Sequence, residues 1–180
     1  MPLDHEDSNY LLSKHELFDH VPIPSDNIHT IDPELVDNPE EAAEDYISQL
    51  AKTFATKDSV RFPVFDLILL GVGPDGHTCS LFPDHELLKE NTEWVASITD
   101  SPKPPSCRIT LTFPVLNHAH HVAFVAAGAG KQDMLHQLLD THGHLPAQMV
   151  KPTTGTLSWF VDDAAVQKVT STTVKGLERL

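Results

Sequence analysis

The chain has 180 residues, 40% of them hydrophobic and only 8 glycine, enough for one buried core and unlike either a disordered tail or a collagen-like repeat. Against 26 Asp and Glu stand 12 Lys and Arg, a formal charge of −14. That balance argues against nucleic acid or an anionic membrane as partner, since clustered cations hold both, but a small phosphate ester needs only a few local cations. The two cysteines, Cys79 and Cys107, make neither a disulfide framework nor a metal-type CxxC and read as reduced thiols of a cytosolic protein. Residues 1–7 carry no basic segment or apolar run of a secretory signal. The longest apolar stretches, such as 67–70 and 121–127, are too short to span a membrane.

In chain order, residues 8–19 read as a helix, with Ser8 as cap and Leu11, Leu12, His15 and Phe18 on one face. Pro22 and Pro24 end it. A second helix is expected over 39–54. Pro39 suits its first position, Glu40 and Glu41 complement the helix dipole, and Ala43, Ile47, Leu50 and Phe54 mark its buried stripe. The nearly all-apolar run 64–70 reads as a strand buried on both faces, as in a parallel sheet. Residues 94–98, 107–113, 121–127 and 157–161 are further strands. A helix over 130–139 links the last two, and 162–168 reads as a short terminal helix. This order indicates an α/β domain. The Pro-rich stretch 101–106 has sheet material on both sides, so it reads as a rigid loop inside a single domain covering residues 1–180.

The stretch Gly71-Val72-Gly73-Pro74-Asp75-Gly76-His77-Thr78-Cys79-Ser80-Leu81-Phe82-Pro83 carries the chemistry. Open α/β sheets bind ligands at the carboxyl ends of their strands, and this loop follows the most buried one. Gly71, Gly73 and Gly76 let the backbone turn sharply and present N–H groups to an anion. His77 is a base suited to neutral pH. A lone GxG is a weak signal, and an isolated His or Asp is more often an ordinary surface or turn residue. The strand, glycines, Asp, His and closing Phe-Pro together are far more specific.

Residues 71–83 resemble the signature loop of the 6-phosphogluconolactonases, a group related to glucosamine-6-phosphate deaminases and ribose-5-phosphate isomerases. The deaminases share the Asp-Gly-His core but continue in an Ile-Ala-Phe-Asn-Glu-Pro type of pattern. This chain has Thr78-Cys79-Ser80-Leu81-Phe82-Pro83, as the lactonases do. Residues 2–10, 101–112 and Gly128-Ala129-Gly130-Lys131 match as well, so the resemblance runs along essentially the whole chain.

The resemblance implies an open, mainly parallel, Rossmann-like sheet flanked by helices. It also implies hydrolysis of 6-phospho-D-glucono-1,5-lactone in the oxidative pentose phosphate pathway, by a cytoplasmic enzyme that is monomeric when complete and needs no metal or cofactor. A lactone is an activated ester, so no covalent nucleophile is required. His77 would take a proton from attacking water, Asp75 would orient the imidazole, and backbone N–H groups between Gly71 and Gly76 are candidate oxyanion donors. Arg108, after the Pro-rich loop, and Lys131, at the mouth of a helix, are the expected phosphate contacts; taken alone, either is an ordinary surface cation. The histidines at 118, 120, 121, 142 and 144 lack the carboxylate or thiolate partners of a metal site. Cys79 reads as packing, having no evident activating base.

Family members usually open with further strands and helices, an early Ser/Gly loop and an Asp-Glu-Arg triplet just before the stretch that begins here at Pro2. About the first third of a domain of about 200–250 residues is therefore expected to be missing. The remaining sheet would then expose Phe65, Leu67, Leu69, Val122 and Phe124. Three readings stay open: an active lactonase, a non-catalytic relative that binds a sugar phosphate or a partner chain, and an aminosugar-phosphate deaminase or isomerase, which the residues after His77 disfavour.

Overall fold

A computed structural model describes residues 1–55 and 60–170. The chain forms two compact units, one from residues 1–63 and 93–111, the other from 64–92 and 112–180.

In the first unit, helix α1 (Asn9–Glu16) begins where Ser8 accepts the Leu11 N–H at 3.4 Å. It stops three residues before the expected end, because the chain leaves helical geometry at Leu17 and re-enters only as a 3₁₀ turn over Phe18–His20. Leu12 lies exposed, so the apolar face is only partly used. Helix α2 (Pro39–Phe54) has the expected bounds. The Asn38 side chain accepts from the Glu41 N–H, Pro39 occupies the first turn, and Ala42, Ala43 and Leu50 are buried. This helix packs against two antiparallel strands, β2 (Val95–Ile98) and β3 (Arg108–Leu111). Both were expected as strands, with no partner assigned. They pair with each other, Val95 opposite Leu111 and Ile98 opposite Arg108, with the Pro-rich loop as their connection.

The second unit holds a three-stranded parallel sheet in the order β1 (Leu67–Leu70), β4 (His121–Ala126), β5 (Thr156–Val161). Helix α3 (Phe113–Leu116) leads into β4, and α4 (Gln132–Asp140) and α5 (Pro146–Met149) connect β4 to β5. Such helical crossovers are what parallel neighbours require. Neither α3 nor α5 was anticipated; each is four residues long, with Pro in its first turn. Residues 162–168 form turns rather than a helix. Asp162 there closes a single turn, accepting from the Ala165 N–H through both its backbone carbonyl and its carboxylate.

The β1 run is not buried on both faces. Ile68 and Leu70 are buried, while Leu67 and Leu69 are more than half exposed, as are Val125 on β4 and Phe160 on β5. The register places these four on one face. Val122 and Phe124, expected to be exposed, are buried on the opposite face, where Phe124 stacks on Trp159 with ring centroids 4.3 Å apart. No helix of the described residues is long and apolar enough to cross a membrane.

Candidate active site

The glycine loop leaves the carboxyl end of β1 and turns back on itself. Gly73 donates its N–H to the His77 carbonyl at 2.9 Å, and Gly76 donates to the Gly73 carbonyl at 3.0 Å. The Thr78 hydroxyl ties the far side of the turn to the Gly71 carbonyl at 2.9 Å. Gly76 sits at φ +78°, a conformation that side chains other than glycine's rarely tolerate. A Cβ at Gly73 would collide with the His77 ring and the Asp75 carboxylate. These two glycines are thus what lets the histidine fold over its own turn.

The result is a local His–Asp pair. Asp75 Oδ1 lies 2.5 Å from His77 Nδ1 and also accepts the His77 backbone N–H at 3.4 Å. With the Nδ1 proton donated to Asp75, Nε2 is the ring's unprotonated, basic nitrogen. The ring rests against Phe82, centroids 4.7 Å apart, and the buried Leu81 and Phe82 anchor the loop behind it. The His77 side chain is 17% exposed and that of Asp75 36%, so the pair is sheltered yet reachable. Because Gly73 and Gly76 use their N–H groups within the turn, neither can meet an oxyanion without giving up that bond. Cys79, two residues on at φ +52°, has its thiol pushed up to about 11, by desolvation first and against the opposing pull of a Thr78 hydrogen bond. Such a thiol is a poor nucleophile near neutral pH.

Lys131 joins this loop across 59 residues of chain: its Nζ donates to the Val72 carbonyl at 2.7 Å. It ends the turn over Ala129–Lys131 that precedes α4. That turn begins at Gly128, whose N–H meets both carboxylate oxygens of Asp162, at 3.0 and 3.1 Å. The sequence reading missed Asp162; an acidic residue directly after a strand at the same sheet end was the available signal. Gly71, Gly73, Asp75, Gly76, His77 and Lys131 thus all fall in the second unit.

Arg108 belongs to the first unit. Its guanidinium fills the bend of the Pro-rich loop, Nε donating to the Pro105 carbonyl at 2.9 Å and Nη2 to those of Lys103 and Pro104 at 2.9 and 2.8 Å. Desolvation there lowers its pKa from the ordinary guanidinium value. The histidine cluster has structural partners: His118 Nδ1 meets the Pro114 carbonyl, His120 donates its backbone N–H to Phe65, and His121 Nδ1 meets the Thr156 hydroxyl. Among the described residues, no group of three or more His, Cys, Asp or Glu is placed to hold a metal ion.

Comparison with known proteins agrees with the loop. A family model described as glucosamine-6-phosphate isomerases/6-phosphogluconolactonase matches residues 1–159. Human 6-phosphogluconolactonase is 53% identical over 172 residues, covering 94% of this chain and 65% of that protein. The rat 6-phosphogluconolactonase is 54% identical over 168 residues, covering 93% of this chain and 63% of its own length. Among solved structures, 6-phosphogluconolactonase from Trypanosoma cruzi superposes with a TM-score of 0.80 at 28% identity, covering 95% of this chain and 70% of that one. The chain therefore spans about two thirds of the length of these relatives, and it belongs to the glucosamine-6-phosphate isomerase/6-phosphogluconolactonase family.

Proposed function

We propose that the chain acts on 6-phospho-D-glucono-1,5-lactone, hydrolysing it to 6-phospho-D-gluconate with His77 as general base. The observation that carries this reading is the Asp75–His77 pair, 2.5 Å apart in a glycine turn at the carboxyl end of a parallel strand. The names of the relatives, lactonases at 53% and 54% identity, favour this reaction over deamination or isomerisation.

In the reaction, His77 Nε2 removes a proton as water oxygen bonds to the lactone carbonyl carbon. The imidazolium is steadied by Asp75 through Nδ1–H. Collapse of the tetrahedral intermediate breaks the bond to the ring oxygen, which leaves with the proton returned by His77. The products are a carboxylic acid, which ionises at neutral pH, and a free hydroxyl. Lys131 has three N–H donors, one of them on Val72, and would meet the phosphate with the others.

The test is lactone hydrolysis by this chain, corrected for the spontaneous reaction. Acceleration over the blank is expected, with His77→Ala at least about a hundredfold slower, the usual scale for losing a general base. A His77→Ala chain retaining more than about a third of the activity would remove this role. No acceleration by the unaltered chain would leave the sugar-phosphate-binding reading instead.

A further inference from the structure

Asp75 orients His77 from within the same short turn, so the two can shift together; something outside the turn has to hold that turn in place. The contacts of Gly76 show what does. Its carbonyl accepts the Ala147 N–H at 3.0 Å, and a Cβ on Gly76 would come within 2.9 Å of Leu145 Cβ and Cδ1. The residue immediately before the base is thereby clamped by the start of α5, where Pro146 and Ala147 are themselves fully buried.

The Gln148 side chain helps fasten that clamp. The two N–H bonds of the Gln148 amide are shared among three carbonyls, those of Leu138 and Thr141, both at 3.0 Å, and of Gln137 at 3.3 Å. Those carbonyls lie in the last turn of α4 and just past it, where helix carbonyls have no intrahelical donors; that of Gln137 also accepts from the Thr141 hydroxyl at 2.6 Å. At its other end, Gln148 Oε1 accepts the Leu145 N–H at 3.1 Å. The same carboxamide thus helps cap α4 and helps start α5, and Leu145 and Ala147 at that start rest on Gly76.

We infer that Gln148 is a positioning residue for His77, acting through Leu145, Ala147 and Gly76; the inference rests on the proposed role of His77. A general base depends on placement at the scale of tenths of an ångström to an ångström. Loosening this clamp should therefore weaken the chemical step more than it weakens substrate binding.

Two near-isosteric variants test this. Gln148→Glu turns an amide donor into an oxygen facing three carbonyls, and Gln148→Met removes both donor and acceptor. Each should lower kcat about tenfold with KM within about twofold of the unaltered chain. In a His77→Ala background neither should lower kcat further. Independently of substrate, the His77 ring Cε1–H resonance should move in both variants while that of His121 stays put. Unchanged kcat together with an unmoved His77 resonance in Gln148→Met, or an equal loss in the His77→Ala background, would overturn the inference. If the chain hydrolyses no lactone at all, the proposed reaction fails, and the His77 resonance still decides whether Gln148 positions the ring.

Discussion

Among the described residues of the second unit, two His–Asp pairs have the same Nδ1–carboxylate distance but different surroundings. His77 Nδ1 lies 2.5 Å from Asp75, and His136 Nδ1 lies 2.5 Å from Asp140. In the first pair the histidine is the sheltered member, 17% exposed against 36% for its aspartate. In the second the order reverses, with Asp140 6% exposed and His136 46%. Asp140 also accepts the backbone N–H of Thr170 at 2.7 Å and its hydroxyl at 3.1 Å, which ties the chain after the last turn to the end of α4. A buried carboxylate with three donors is a fastening. An aspartate in a glycine turn beneath a sheltered imidazole suits the proposed orienting role. Distance alone does not distinguish the two pairs; the backbone that carries each and which member is sheltered do.

The sharpest way to break this comparison is to make the same substitution at both aspartates. Asp75→Asn keeps the shape of the side chain but can present an amide N–H to Nδ1, which moves the ring proton to Nε2 and removes the base. A fall in kcat of about a hundredfold is expected, with KM changed less than about threefold. Activity within about threefold of the unaltered chain would mean that Asp75 does not orient His77.

At the other pair, Asp140→Asn should leave kcat within about twofold and appear in stability instead. The amide gives up the charge-assisted bonds from His136 and Thr170, a loss of about 1–3 kcal/mol measured by urea unfolding. If Asp140→Asn lowered kcat as much as Asp75→Asn did, the distinction between fastening and orienting pair would collapse.

Which of these features the sequence displays follows from how local they are. The Asp75–His77 pair spans two residues, and Gly73 and Gly76 are demanded by the turn, so the loop and its His–Asp pair were legible. So was α2, where the cap, the first-turn Pro and the apolar spacing agree. His136 and Asp140 stand four apart on a helix and could have been paired, but nothing local announces the Thr170 contact thirty residues on. The bonds from Lys131 to Val72 and from Gly128 to Asp162 are likewise long-range, and only the folded sheet brings them together. The run of residues 64–70 misled for another reason. An all-apolar strand carries no alternation to say which face is covered, and here Leu67 and Leu69 lie on the exposed one. The partnering of β2 with β3 was hidden because strand propensity does not encode the neighbour.

The smallest expected effect concerns a thiol beside the proposed base. Cys79 follows His77 by two residues, and a thiol there could in principle attack the lactone itself. Its pKa, pushed up to about 11 by desolvation, argues otherwise. The reactive form is the thiolate, and at pH 7.5 such a group is ionised in only about one molecule in several thousand. In the folded chain, iodoacetamide at pH 7.5 should therefore label the exposed Cys107 at least about tenfold faster than Cys79. Because the Cys79 pKa is raised, its thiolate fraction climbs about tenfold per pH unit up to about 11. Its labelling should accelerate about a hundredfold between pH 7.5 and 9.5 in a chain that stays folded. The same upward shift means the folded state resists ionising this thiol, so whatever stability it contributes is present below the unfolded thiol pKa and declines as pH rises toward 11. Cys79→Ala should keep lactone hydrolysis within about threefold, since the proposed reaction passes through water activated by His77. Rapid labelling of Cys79 at pH 7.5 accompanied by loss of activity, together with an inactive but folded Cys79→Ala chain, would move the chemistry of this loop from the imidazole to the thiol.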